Sequence, residues 1–196
     1  MNIGIVIFLG TTCDRETKHW LQDHTTINIW FDDEKIYDLD WLILPGGFSY
    51  NDQISVGKLA AQQQIFHNIP HYLLSNTKIL GICNGFQMLC SAGFLIGTFQ
   101  KQPHFINTLT TLNFAHNNIF FKMPIACQVG KYVVHNDYTD ISNNIFCTYS
   151  QENPTNSQYK IAGMKNDNNS IFGLIPHPER TNMTFTELLE IIKNIV

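Results

Sequence analysis

The sequence predicts one α/β domain over residues 1–196, three-layered, with a mostly parallel central sheet, a nucleophile elbow and an antiparallel excursion. Three observations carry this expectation. Short apolar runs alternate with segments of helical periodicity. The first and third runs end in glycine-bearing turns, Gly10-Thr11-Thr12 and Pro45-Gly46-Gly47. A later run, Lys78 to Ile82, ends at Cys83, and Gly81 and Gly85 flank that cysteine.

In chain order, Ile3 to Leu9 reads as a first buried strand. A polar helix begins near Thr12 or Cys13 and runs to about Asp23. Thr26 to Trp30 is a second short strand, and Asp32-Asp33-Glu34 is an exposed acidic loop. Trp41 to Leu44 is a third strand. Phe48 to Val56 is a polar loop, and Gly57 to about Ile69 a helix. After the elbow and its helix, the character changes from Phe94 onward. Segments rich in β-branched and aromatic residues follow: His104 to Asn113, Ile119 to Met123, Tyr132 to His135, Asn144 to Tyr149 and Tyr159 to Met164. They form the antiparallel excursion. Ser170 to Ile175 is a final buried strand, and Thr184 to Ile195 an amphipathic closing helix.

Composition narrows the function classes. Hydrophobic residues make up 44% of the chain, which suits a packed globular core. The net charge is −4 with no basic block, so a nucleic-acid partner is not expected. The five cysteines (Cys13, Cys83, Cys90, Cys127, Cys147) are an odd number without C-x-x-C spacing, which argues against a disulfide framework and a zinc site. Reduced thiols in the cytoplasm are the expectation. The N-terminal apolar run has no basic leader and is too short for a signal peptide or a membrane span.

The chemistry centres on Gly81-Ile82-Cys83-Asn84-Gly85-Phe86-Gln87. A lone cysteine usually just packs a core. This one has the spacing of a strand-turn-helix nucleophile elbow, where two glycines let strand and helix approach around a strained residue. Its sulfur would project from the carboxyl edge of the sheet at a helix N-terminus, which favours thiolate. A cysteine nucleophile needs a base and the base an orienter. Pro176-His177-Pro178-Glu179 offers both, since prolines stiffen the segment and residues i and i+2 of an extended chain point the same way. A capped strand end with a surface His and Glu remains the alternative. The backbone N–H groups of Gly47 and Asn84 would form an oxyanion hole. Gln87 either faces a polar substrate or satisfies neighbouring backbone. The residues alone thus indicate a Cys-His-Glu acyl-transfer enzyme and leave its substrate open.

These motifs resemble those of class I (triad) glutamine amidotransferases. More narrowly, the chain is similar to the glutaminase subunits of bacterial phosphoribosylformylglycinamidine synthase, an enzyme of purine synthesis. The narrower likeness rests on Cys13-Asp14-Arg15-Glu16, Leu44-Pro45-Gly46-Gly47-Phe48-Ser49-Tyr50, Glu152-Asn153-Pro154 with Ile161-Ala162-Gly163, and the Pro176 to Arg180 ending, besides the elbow. The resemblance implies a glutaminase fold with Cys83 as nucleophile, His177 as acid/base and Glu179 as orienter, with Gly47 and Asn84 at the oxyanion hole. It also implies substrate contacts from Phe48, Gln87 and Tyr132. The implied partners are an ATP-dependent synthetase subunit and a small bridging subunit. No cofactor is implied for this chain, because ATP and magnesium would belong to the synthetase.

Two departures from the family pattern stand out. The loop after Tyr50 continues Asn51-Asp52 where Gly-Asp is usual. Ala126-Cys127-Gln128-Val129-Gly130-Lys131-Tyr132 replaces the usual Ala-His-Gly-Glu-Gly-Arg-Tyr. Two other readings therefore stay open: a glutaminase subunit of a different ATP-dependent amidotransferase, and a non-catalytic regulatory subunit.

Overall fold

The computed structural model of the chain describes residues 1–47, 62–114, 119–134 and 140–195. Its elements begin with β1 (Asn2–Ile7), α1 (Asp14–Trp20), β2 (Thr25–Trp30) and β3 (Trp41–Leu44). They continue with α2 (Gln64–Leu74), β4 (Lys78–Ile82), α3 (Asn84–Ser91), β5 (Thr98–Gln100), β6 (Ile106–Phe114) and β7 (Ile119–Cys127). The last are β8 (Lys131–Val133), β9 (Ile145–Tyr149), β10 (Ile161–Lys165), β11 (Ile171–Leu174) and α4 (Phe185–Ile195). Among the described residues, nine strands make one sheet in the order β2-β1-β3-β4-β11-β10-β9-β6-β7, and β5 pairs with β8 apart from it.

The strands β2 to β11 in that order pair in parallel, and from β10 onward the sheet continues antiparallel. The parallel strands are short; β3 and β11 are buried at every position and β4 at all but Lys78, as strands covered on both faces must be. The register brings their carboxyl ends level: Leu44 lies beside Gly81, and Ile82 beside Leu174. The segments leaving β1, β3, β4 and β11 therefore emerge at one sheet edge. That is where sites form in open parallel sheets.

Both faces are covered by helices. Trp41 packs edge-on against Phe185 of α4 at 5.6 Å, and Phe185 also meets Trp20 of α1 at 5.1 Å. The Trp20 indole N–H donates to the Met183 carbonyl at 2.6 Å, fixing the start of α4 against α1. Three residues along β3, on the opposite face, Leu44 meets α3 at Gly85. Phe86 of α3 lies on Gly173 of β11, where a Cβ would come within 2.2 Å of its ring. Phe66 of α2 stacks with Phe8 and Phe94. No helix among the described residues is long and apolar enough to cross a membrane.

Several boundaries differ from the sequence reading. The first helix stops at Trp20, short of Asp23. The expected helix from Gly57 is described only from Gln64, and it runs on to Leu74 past Pro70. Residues 57–61, the Phe48 to Val56 loop and Asn51 lie outside the described residues. Strand β7 continues four residues beyond Met123, through Pro124. As the last strand of the sheet it can accommodate a residue without an N–H.

Phe185 is 1% exposed and joins two helices to the sheet. Phe185→Ala is expected to lower the unfolding free energy by about 3–5 kcal/mol, read as a fall in the urea midpoint at unchanged slope.

Candidate active site

Gly81 and Gly85 make the elbow. A Cβ on Gly85 would stand 2.1 Å from the Leu44 carbonyl oxygen, and one on Gly81 would stand 2.7 Å from the Gly85 carbonyl carbon. No other residue permits β4 to turn into α3 so tightly against β3. The turn itself falls on Cys83, at φ 48° and ψ −102°. A non-glycine residue held there costs about 1–3 kcal/mol and persists only where surrounding structure imposes it. The Cys83 N–H donates to the Leu174 carbonyl at 2.7 Å, and its carbonyl accepts the Gln87 N–H. Strand pairing and the first helical turn thus grip the residue from both sides.

His177 leaves β11 at the same edge. Its backbone N–H donates to the Pro124 carbonyl at 2.9 Å, so the edge strand β7 anchors it. Its Nδ1 and Glu179 Oε1 are 2.6 Å apart, with both side chains buried. The reason differs from simple alternation along an extended chain: Pro178–Arg180 forms a single 3₁₀ turn, which swings Glu179 back onto the ring. Nδ1 thus carries the proton shared with the carboxylate, and Nε2 is the ring nitrogen left over. His177 Nε2 is buried without an aligned hydrogen-bond partner, as are Glu179 Oε2 and Asn84 Oδ1. Gly46 closes the space between base and elbow: a Cβ there would lie 2.7 Å from His177 Cε1 and 3.3 Å from Cys83 Cβ.

Burial opposes charge on the His177 ring, but the Glu179 carboxylate, with the Cys83 and Cys13 sulfurs, outweighs it and holds the imidazole pKa well above its usual value. The ring is therefore disposed to be imidazolium beside the Cys83 sulfur. Burial pushes the Cys90 and Cys147 thiols well up, so these two are poor sources of thiolate. All five cysteines are buried and free.

Gly47 (φ 128°) forms an isolated bridge to Thr11, and a Cβ on it would meet the Thr12 backbone nitrogen at 2.6 Å. That contact draws the segment after β1 into the site. Asn84 opens α3 directly after Cys83. The two proposed oxyanion-hole residues thus flank the elbow, one on the β3 turn and one on the helix.

Two of the side chains read as substrate contacts are turned inward. Gln87 donates from Nε2 to the Val129 carbonyl at 2.6 Å and accepts from Asn84 Nδ2 at 3.1 Å. Of the alternatives weighed for it, the structure has the one in which it satisfies backbone. It ties the divergent 126–132 segment to α3. Tyr132 is packed against Phe86 and Phe99, and its hydroxyl donates to the Ile96 carbonyl at 2.6 Å. Phe48 lies outside the described residues.

The sequence reading did not place Cys13 in the site. The structure does: its sulfur lies within 4.8 Å of ligand atoms of His177 and Glu179. The composition is that of a metal site, but the arrangement is not. The His177–Glu179 contact is already closed at 2.6 Å, and the Cys13 sulfur already accepts from the Arg180 guanidinium at 3.0 Å.

Because the folded His177 pKa is raised, the ring's contribution to stability is full below the unfolded value of about 6.5 and fades as pH climbs through the folded value. Glu179→Gln is expected to move the His177 titration midpoint down, followed by NMR of the ring protons, and to reduce stability at pH about 6 more than at pH about 9.

A family model described as the CobB/CobQ-like glutamine amidotransferase domain matches residues 1–121. Phosphoribosylformylglycinamidine synthase subunit PurQ of Prochlorococcus marinus (strain MIT 9312) is 33% identical over 195 residues, covering 91% of this chain and 88% of that protein. The subunit of the same name from Helicobacter hepaticus is 35% identical over 198 residues, covering 92% and 89%. A chain in the structure of PurLQS from Thermotoga maritima superimposes with a TM-score of 0.85 at 30% identity, over 98% of this chain and 97% of that one. Fold, elbow and relatives agree: the chain belongs to the glutamine amidotransferases, in the family of PurQ subunits of phosphoribosylformylglycinamidine synthase.

Proposed function

We propose that this chain is the glutaminase of a phosphoribosylformylglycinamidine synthase, working with an ATP-dependent synthetase subunit and a small bridging subunit in the cytoplasm. The observation that carries the chemistry is the closed His177–Glu179 pair, which engages Nδ1 and leaves Nε2 of the same ring buried without a partner.

In this reaction the Cys83 thiolate attacks the side-chain amide carbon of glutamine. The oxyanion that forms is met by backbone N–H groups of Gly47 and Asn84, each worth about 10²–10³ in rate. Imidazolium His177 gives its Nε2 proton to the departing nitrogen, and the C–N bond breaks to release ammonia and leave a γ-glutamyl thioester. Neutral His177 then takes a proton from water, which attacks the thioester carbonyl. The C–S bond breaks, glutamate leaves and the thiolate–imidazolium pair is restored. Glu179 holds the ring tautomer throughout and offsets its charge. The ammonia passes to the synthetase subunit, which uses it to form the amidine. The reading gives this chain no cofactor; ATP and magnesium act in the synthetase.

The test is amidine formation by this chain reconstituted with a bacterial-type synthetase and its small subunit. Wild type is expected to use glutamine or ammonium, and Cys83→Ala ammonium only. If wild type too works only with ammonium, a glutaminase role fails, and the regulatory reading takes its place. If it supports only a different synthetase, the amidotransferase reading stands and the pathway fails. Gly46→Ala, which forces a carbon against His177, is expected to lower glutamine-dependent kcat about 10²-fold. Circular dichroism should show the fold unchanged.

A further inference from the structure

Cys13 is the second sulfur of this site, and none of the chemistry above uses it. It caps α1, is 1% exposed, and is pinned through its carbonyl, which accepts from the Thr17 N–H at 3.0 Å and hydroxyl at 2.7 Å. The Cys13 sulfur lies against the His177–Glu179 pair. It also accepts from Arg180 Nη2 at 3.0 Å, and Arg180 Nη2 lies 3.7 Å from Glu16 Oε1. A sulfur that merely filled space would not be met by a guanidinium, whose donors lose free energy against apolar surface. Glu179 meets the His177 ring at one atom, Nδ1. Cys13 adds a contact from a different element, since it precedes α1, next to β1, while His177 follows β11.

We propose that Cys13, held by Arg180, is a positioning residue that braces the His177 imidazole so that Nε2 stays directed at Cys83. Glu16, Arg180 and Cys13 form a strut from the surface to the ring. The proposal rests on reading Cys83 and His177 as nucleophile and acid/base. The influence of the Cys13 sulfur on His177 protonation, in the same direction as that of Glu179, agrees with direct contact.

The test compares Cys13→Ala, Cys13→Ser and Arg180→Gln in the reconstituted complex, with ammonium-driven turnover as the reference for assembly. Cys13→Ala is expected to lower glutamine-dependent kcat about tenfold with KM for glutamine within about twofold, because a small error in ring placement is felt in the transition state. Cys13→Ser keeps an acceptor for Arg180 and should recover most of the loss. The His177 titration midpoint, read by NMR on the isolated chain, should fall in Cys13→Ala, and the alkaline limb of the rate profile should move to lower pH with it. Arg180 is partly exposed, so Arg180→Gln probes the strut without opening the core, and it should reproduce the kcat loss with KM kept. Equal activity of the Ala and Ser variants with an unmoved His177 titration would overturn the proposal, as would an Arg180→Gln enzyme with wild-type kcat. Should the wild-type complex fail to use glutamine, the function proposed above falls. The NMR titration would still decide for or against the Cys13–His177 contact.

Discussion

The approach of α3 to the end of β3 governs the rest of this molecule. The Leu44 carbonyl occupies the space that a side chain on residue 85 would need. Only with that space empty does the helix begin directly at the sheet edge, and only then is Cys83 forced into its left-handed conformation. The strain is local, while what imposes it is spread over β3, β4, β11 and the first turn of α3. Rigid elements hold the sulfur, which is the condition for a reactive group to keep its geometry through a catalytic cycle.

Electrostatics then separates one cysteine from its neighbours. At Cys90 and Cys147 burial acts and suppresses the thiolate. Cys83 is equally buried but stands by an imidazole whose charge is sustained by Glu179. Burial strengthens that interaction, since little solvent screens it.

Much of this could be read from the residues. The elbow was legible because a buried strand that meets a helix at a cysteine needs a glycine on each side, at that spacing, to make so close a turn. The parallel strands were legible because continuous apolar runs bounded by turns describe strands covered on both faces. The His177–Glu179 pair was found for an incomplete reason, since sequence alternation does not announce a 3₁₀ turn. Strand β7 was cut short at Pro124 because its edge position is a property of the sheet and not of the segment. Gln87 faced two possible partners, and which one it took depended on Val129, 42 residues away. Cys13 stood out only through a family resemblance. The one local signal was its place just beyond the first strand, at the edge that every parallel strand supplies. Its pairing with Arg180 spans 167 positions and left no trace in local pattern.

The parallel pairing of β4 with β11 has a consequence for how the molecule comes into being. The nucleophile is at the end of one strand and its base at the end of the adjacent one, yet the entire antiparallel half lies between them in the chain. During synthesis, Cys83 leaves the ribosome long before residue 177 exists. The loop closed by this pairing is long, and contacts of such separation form slowly compared with the local hairpin β6–β7. Nascent and truncated chains therefore carry the cysteine without its partner. Chemical competence arrives only once β11 has been made and has paired with β4.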